Sequence, residues 1–197
     1  MLTHLRPALV MLALMVGLTG LAYPLAMTGI AQVVFPTQAN ASLIERDGRI
    51  VGSALVAQAF TADHYFHPRP SAANFDATDS DASNFGPTNA DLIAQVAERA
   101  EAFRAAHGVQ VVPIDAVTAS ASGLDPHISL QNARLQAARV AEARGVPTRE
   151  VLALVNAQTE APWLGLFGTD RVNVLLLNLA LDERLPLPAP DADTPAG

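Results

Sequence analysis

From Ala8 to Ala22 the chain is almost purely apolar, interrupted only by Gly17, Thr19 and Gly20, and the run continues through Tyr23-Pro24-Leu25-Ala26-Met27 as far as Phe35. No charged residue falls between Arg6 and Glu45. About twenty helical residues at 1.5 Å each reach roughly 30 Å, the thickness of a hydrocarbon core. Five Leu and two Val lie within Ala8–Ala22, and at roughly −0.3 to −0.6 kcal/mol each they contribute about −3 kcal/mol to insertion. The pattern predicts a membrane-spanning helix over residues 8–28. A cleavable signal peptide, with Arg6 as its basic region and Gly20-Leu21-Ala22 as its cleavage site, is the competing reading. The apolar character that runs on to Phe35 favours a retained span. Arg6 precedes the span and no Lys or Arg follows it until Arg46. The positive-inside bias then places the N-terminus in the cytoplasm and the body outside. Within the span Ala13, Gly17 and Gly20 fall at i, i+4 and i+7, a stripe of small residues suited to close packing of a second membrane helix.

Composition removes several kinds of chemistry. The chain has no Cys, and its basic residues are 12 Arg with no Lys. Disulfides, zinc-thiolate sites, a P-loop lysine and a Schiff-base lysine are excluded. The net charge of −7 argues against a nucleic-acid partner.

The body reads as a mixed α/β domain over residues 29–185, so the whole is α+β with a single N-terminal transmembrane helix. Asp47-Gly48 is a turn signal before Arg49-Ile50-Val51-Gly52 and predicts a short strand pair. Residues 61–89 are turn-like and too long to be merely connective. A helix begins at Thr88 or Asn89, carries Leu92, Ile93, Val96, Ala100 and Phe103 at helical spacing, and stops at Gly108. Val109–Val112 suits a buried strand. Ser129 caps a helix over residues 130–144 that Gly145 closes, with Leu130, Ala133, Ala137, Val140 and Ala141 inward. Thr148 is expected to cap the next helix, and Val172–Leu181 reads as strand followed by a short terminal helix. The segment 186–197, with four Pro between Pro186 and Pro195, reads as a disordered tail.

Three groups of residues invite a chemical reading. Asp63, His64 and His67 lack a third ligand at a recognised metal spacing. Asp79-Ser80-Asp81-Ala82-Ser83 begins like a calcium loop, but Asn84 and Ala90 stand where Gly and Glu are needed. Ser120, Ser122, Asp125, His127 and Ser129 crowd one stretch, yet neither Ser120 nor Ser122 sits in a nucleophile elbow. Turn and helix-cap roles account for them better, and no catalytic or metal residue is assigned.

Five segments in order carry a resemblance. Tyr65-Phe66-His67-Pro68-Arg69-Pro70-Ser71-Ala72, Ser83-Asn84-Phe85-Gly86-Pro87-Thr88-Asn89 and Val117-Thr118-Ala119-Ser120-Ala121-Ser122-Gly123-Leu124-Asp125-Pro126-His127-Ile128-Ser129 resemble signature segments of the potassium-transporting ATPase C subunit family, KdpC. Arg139-Val140-Ala141-Glu142-Ala143-Arg144-Gly145, and Arg171-Val172-Asn173-Val174-Leu175 through Asn178-Leu179-Ala180-Leu181-Asp182, complete it over residues 8 to about 183. The chain departs from the family at Asp81-Ala82, where Gly-Gly is common, and at Thr169-Asp170, where Glu-Pro is usual. The resemblance implies a non-catalytic subunit of an ATP-driven potassium uptake complex in the bacterial cytoplasmic membrane, needed for assembly. It also implies the proposed role of a catalytic chaperone that raises the ATP affinity of the P-type subunit. Its implied partners are a channel-like potassium-conducting subunit, the P-type ATP-hydrolysing subunit, a small single-span subunit and membrane lipid. ATP and potassium are then handled by the complex, with no cofactor on this chain alone. By the same resemblance Tyr65, Phe66, Arg69, Pro70, Ser71, Ser83, Asn84, Gly86, Asn89, Ser122, Gly123, Asp125, His127, Ser129, Arg171 and Asn173 are structural or partner-contacting. A membrane-anchored hydrolase or binding module is the alternative reading of the residues.

Overall fold

The structure is a computed structural model that describes residues 4–162 and 164–187. It divides into two compact units, Met1–Ser53 and Ala54–Gly197. Most of the Pro-rich tail lies outside the described residues.

In the first unit one helix, α1, runs unbroken from Leu5 to Val34, with a mean hydropathy of 2.0 and none of its apolar window buried. It is long and apolar enough to cross a membrane, and it is six residues longer at its C-terminal end than the 8–28 window. Val16–Ala22 is wound as a π-helix. Pro24 supplies the reason: it cannot donate to the carbonyl four residues back and its ring crowds that turn, so the ladder widens just before it. Thr19 Oγ1 donates to the Met15 carbonyl at 2.7 Å inside the widened stretch. Gly17 and Gly20 therefore stand in a turn of more than 3.6 residues, and three residues fall further short of one revolution than in a regular α-helix. The i, i+4, i+7 alignment with Ala13 does not carry over unaltered. A short helix, α2 (Pro36–Ala39), and the antiparallel strands β1 (Leu43–Arg46) and β2 (Arg49–Ser53) complete the unit. Asp47 and Gly48 both have positive φ, as the two-residue hairpin turn requires.

In the second unit residues 54–89 contain no helix or strand. Then follow α3 (Ala90–His107), α4 (Ile114–Val117), β3 (His127–Ser129), α5 (Leu130–Arg144), α6 (Thr148–Ala157), β4 (Thr159–Glu160), β5 (Arg171–Asn173) and α7 (Val174–Arg184). The three strands form one antiparallel sheet in the order β3-β5-β4, with Ile128 opposite Val172 and Thr159 opposite the same residue on the other side. Ile128, Val172 and Leu177 join Ala133, Ala137, Val140 and Ala141 of α5, Val151 and Val155 of α6, and Leu181 of α7 in the core. Each fully buried Val, Leu, Ile or Phe contributes about 1.5–3 kcal/mol, and the Ala-rich face of α5 lets α6 approach closely. Gly145, at φ 66, closes α5: its N–H donates to the Glu142 carbonyl and that of Val146 to Ala141, the paired bonds of a Schellman motif.

Three sequence expectations fail here. Val109–Val112 is not a buried strand, and Val111 is 68% exposed. Gly108 reverses the chain after α3 and Pro113 ends the segment, leaving no room for a ladder, and α4 follows at once. The Val172–Leu181 run is strand only through Asn173, because the Asn173 carboxamide accepts from the Leu176 N–H and starts α7. Thr148 opens α6 as its first residue, with Pro147 in the cap position and no side-chain cap.

Candidate functional site

The long segment 54–89 has no ladder of its own, so its backbone polar groups must find partners elsewhere. Two buried carboxamides supply them. The Phe66 N–H donates to Asn178 Oδ1 at 2.8 Å, and Asn178 Nδ2 returns a bond to the Phe66 carbonyl at 3.0 Å. The next residue repeats the pattern with Gln136: His67 N–H to Oε1 at 2.8 Å, Nε2 to the His67 carbonyl at 3.1 Å. Each amide thus plays the part of a neighbouring strand. Phe66, fully buried, anchors the segment in the core between them. Gln136 Nε2 also donates to Asn132, whose own amide donates to Asp115. Asp115 in turn accepts from the Ser129 N–H and hydroxyl, and Ser129 Oγ caps α5 at Asn132 N. A carboxylate beside a helix N-terminus is favourable on the dipole as well.

Arg144 is the one fully buried cation among the described residues. Each of its three nitrogens donates: Nε to the His64 carbonyl, one terminal nitrogen to the Leu185 carbonyl and the other to Asp182, each at 2.8 Å. Its guanidinium lies 5.2 Å from the Tyr65 ring centroid, and the Tyr65 hydroxyl donates to the second Asp182 oxygen at 2.9 Å. Burial and the Asp182 carboxylate raise the Tyr65 pKa, so the phenol stays protonated.

A second junction gathers around Gly123. Ser71 Oγ donates to the Gly123 carbonyl at 2.7 Å and accepts from the Phe75 N–H. Ser120 N–H donates to the Pro70 carbonyl, and Ser80 Oγ donates to the Ser122 carbonyl. Arg69 donates to Asp125 at 3.0 Å. Ser122 Oγ accepts from the Leu124 N–H, holding the turn. His127 has a carboxylate on either side, Asp125 at 3.4 Å and Glu160 at 3.7 Å. Both ring nitrogens therefore face carboxylates, and neither faces a serine. Asn89 caps α3 by accepting from Asp91 and Leu92, and Asn84 adopts φ 53 with its amide on the Ala82 carbonyl. Ser83 and Gly86 lie exposed in that turn. Arg171 pairs with Glu160 on the surface, while buried Asn173 donates to the Ala54 carbonyl. The His64 ring lies against that of Tyr65, 4.4 Å between centroids and tilted by 53°, and His67 lies with its ring nitrogen 3.2 Å from the Ala62 carbonyl.

Asp125 has its pKa held at about 2: burial alone would raise it, but the bonds from His127 and Arg69 outweigh burial. The stability conferred by the ionised carboxylate is present above its unfolded pKa near 4 and is lost as pH falls through about 2. Asp125→Asn is expected to cost about 1–2 kcal/mol at pH 7, allowing for solvent screening. The difference from wild type should close as pH approaches 2, and urea denaturation at several pH values measures it. A constant difference across that range would remove the charge from the explanation.

A cleft of about 440 Å³ beside α3 is lined by Phe60, Arg69, Phe75, Arg99, Phe103 and His107, among others. Its size suits a small ligand. The unpartnered nitrogens nearest it, Arg69 Nε and His107 Nδ1, are sealed from solvent, so neither can reach an incoming group. Burial and Arg139 lower the His107 pKa to about 4, leaving the imidazole neutral.

The polar residues that organise both junctions include several with no role in the sequence reading: Asp115, Asn132, Gln136, Arg144, Asn178 and Asp182. One signal was available. Gln136 and Asn132 share the helical face of Ala133, Ala137 and Val140, and Asn178 interrupts an otherwise apolar run; amides in such places need buried partners.

Fold and network together define a class: a small α+β body, tied by internal hydrogen bonds, on a chain with one helix able to span a membrane. Residues 5–183 match the family described as KdpC, the c chain of the K+-transporting ATPase. The potassium-transporting ATPase KdpC subunit of Rhodospirillum rubrum is 59% identical over 191 residues, covering 95% of this chain and 99% of the relative. Those of Caulobacter vibrioides (58% over 189 residues, 94% and 96%) and Mycobacterium bovis (53% over 184 residues, 91% and 97%) are similar along nearly their whole length. The chain belongs to the KdpC family. It is the C subunit of the potassium-transporting Kdp ATPase, an accessory chain of a complex whose catalysis lies in another subunit.

Proposed function

We propose that the chain is a single-pass protein of the bacterial cytoplasmic membrane, with its N-terminus in the cytoplasm and residues 29–185 outside. There it serves assembly of the pump by joining a channel-like potassium-conducting subunit, the P-type ATP-hydrolysing subunit and a small single-span subunit. The observation that carries this is the charge asymmetry about α1: Arg6 precedes the helix, and no Lys or Arg follows until Arg46. The hydrogen-bonded junctions support a structural role, since their side chains are spent on holding loops. Small residues in the span, Ala13, Gly17 and Gly20, let a partner helix approach closely, although the π-turn at Val16–Ala22 keeps them from forming one straight stripe. With the body outside and ATP inside, any influence on ATP affinity passes through packing in the membrane rather than through direct contact. A reporter active only outside the cytoplasm, fused after Leu185, is expected to be active. Activity from a cytoplasm-only reporter at that position would reverse the topology and restore direct ATP contact.

A further inference from the structure

Between Glu160 and Asp170 the chain carries no charge. In this connection from β4 to β5, Leu164, Leu166 and Phe167 are 70%, 78% and 64% exposed. The tip is shaped by left-handed residues: Leu164 at φ 53, Gly165 at φ 69 and Gly168 at φ 104, with the Gly165 N–H on the Pro162 carbonyl. At its base Arg171 and Glu160 pair at 2.9 Å, so a charged collar follows a neutral, apolar tip. Three large apolar side chains thus stand exposed within four residues of one short turn, on a protein of net charge −7.

We infer that this turn, through Leu164, Leu166 and Phe167, enters the interfacial layer of the lipid bilayer and gives the body a second hold on the membrane. The occupant follows from the chain itself. The helix Leu5–Val34 is able to span a membrane, and residues 35–53 are all that separate it from the second unit. Fully extended, that segment reaches at most roughly 65 Å, so the body is always within reach of lipid at high effective concentration. Apolar side chains in a neutral turn settle about 5–10 Å into the headgroup boundary, and a charged collar stops them there. The inference holds whichever side of the membrane the body occupies, so its failure is distinct from a failure of the topology.

Trp163, the chain's one tryptophan, stands next to these residues in sequence and reports on them. The full chain is reconstituted in phosphatidylcholine–phosphatidylglycerol nanodiscs, with and without brominated acyl chains, and its fluorescence is quenched separately with iodide. Brominated lipid is expected to quench the emission several-fold more strongly in wild type than in the double variant L166D/F167D, with iodide showing the reverse order. Leu166 and Phe167 are 78% and 64% exposed, and the comparison uses the variant only with a urea midpoint that matches wild type, with L166D alone as the second variant. Free access of iodide with no effect of bromine would overturn the inference. So would a bromine effect that the double variant leaves unchanged. Protection that arises only after the other Kdp subunits are added would overturn it too, making a protein surface the occupant.

Discussion

Replacing Arg144 with Met is expected to remove about 3–5 kcal/mol of stability, the loss seen when one partner of a buried ion pair is deleted. The methionine fills similar volume, so the cost is electrostatic. It leaves an Asp182 oxygen and the carbonyls of His64 and Leu185 without a donor. Against the 5–15 kcal/mol of an ordinary domain, that loss is a large share of the total stability. Arg144→Lys should recover only part of it, because a single ammonium cannot serve three acceptors arranged around a planar fork. Alkaline pH offers an independent check on the same cluster. The Tyr65 pKa is raised above its ordinary value of 10.0, so the stability it confers is complete below pH 10 and declines as pH climbs through the folded value. Urea denaturation of the detergent-solubilised chain reads all three. A loss below about 1 kcal/mol for Arg144→Met would mean that the guanidinium is not what holds residues 64 and 185.

Arg144 also marks where reading the sequence stops. The ends of α3 and α5 were legible because their signals are local: Asn89 caps the first within three residues, Ser129 the second, and Gly108 and Gly145 take the left-handed conformation just past each helix. The hairpin at Asp47-Gly48 and the apolar character of α1 are local in the same sense, although α1 runs to Val34, beyond the expected end at residue 28. The amide clamps are not. Gln136 meets the His67 backbone across 69 residues and Asn178 meets Phe66 across 112, and no spacing rule pairs a helix amide with an irregular segment so far away. The apolar run at Val172 failed for a different reason, since continuous apolar residues carry no period that separates strand from buried helix. The family segments include 65–72 and 117–129 without revealing that Ser71, together with Ser80 and Asp81 from outside those segments, meets the turn at Gly123.

That glycine carries the second large effect. Gly123 has φ +69, and a Cβ added there would stand 2.8 Å from both the Ala73 Cβ and the Asp81 carbonyl oxygen. The obstacle is backbone and a methyl group with no freedom to swing aside. Gly165 has the same φ of +69, with nothing within 4 Å of its added Cβ. The pair therefore separates two costs that usually occur together. Gly165→Ala carries only the left-handed strain, about 1–2 kcal/mol. Gly123→Ala adds overpacking of about 1–3 kcal/mol, and the neighbours can yield only by moving Ala73 or Asp81. Those movements pull on the bonds from Ser71 to Gly123 and from Ser80 to Ser122, which fix the long segment to the signature turn. Gly123→Ala is thus expected to lose about 2–5 kcal/mol in urea and to make residues 71–82 more sensitive to limited proteolysis, while Gly165→Ala leaves that segment protected. Equal losses from the two variants, with protection retained in both, would show that the turn has room to spare and that the junction does not depend on this close approach.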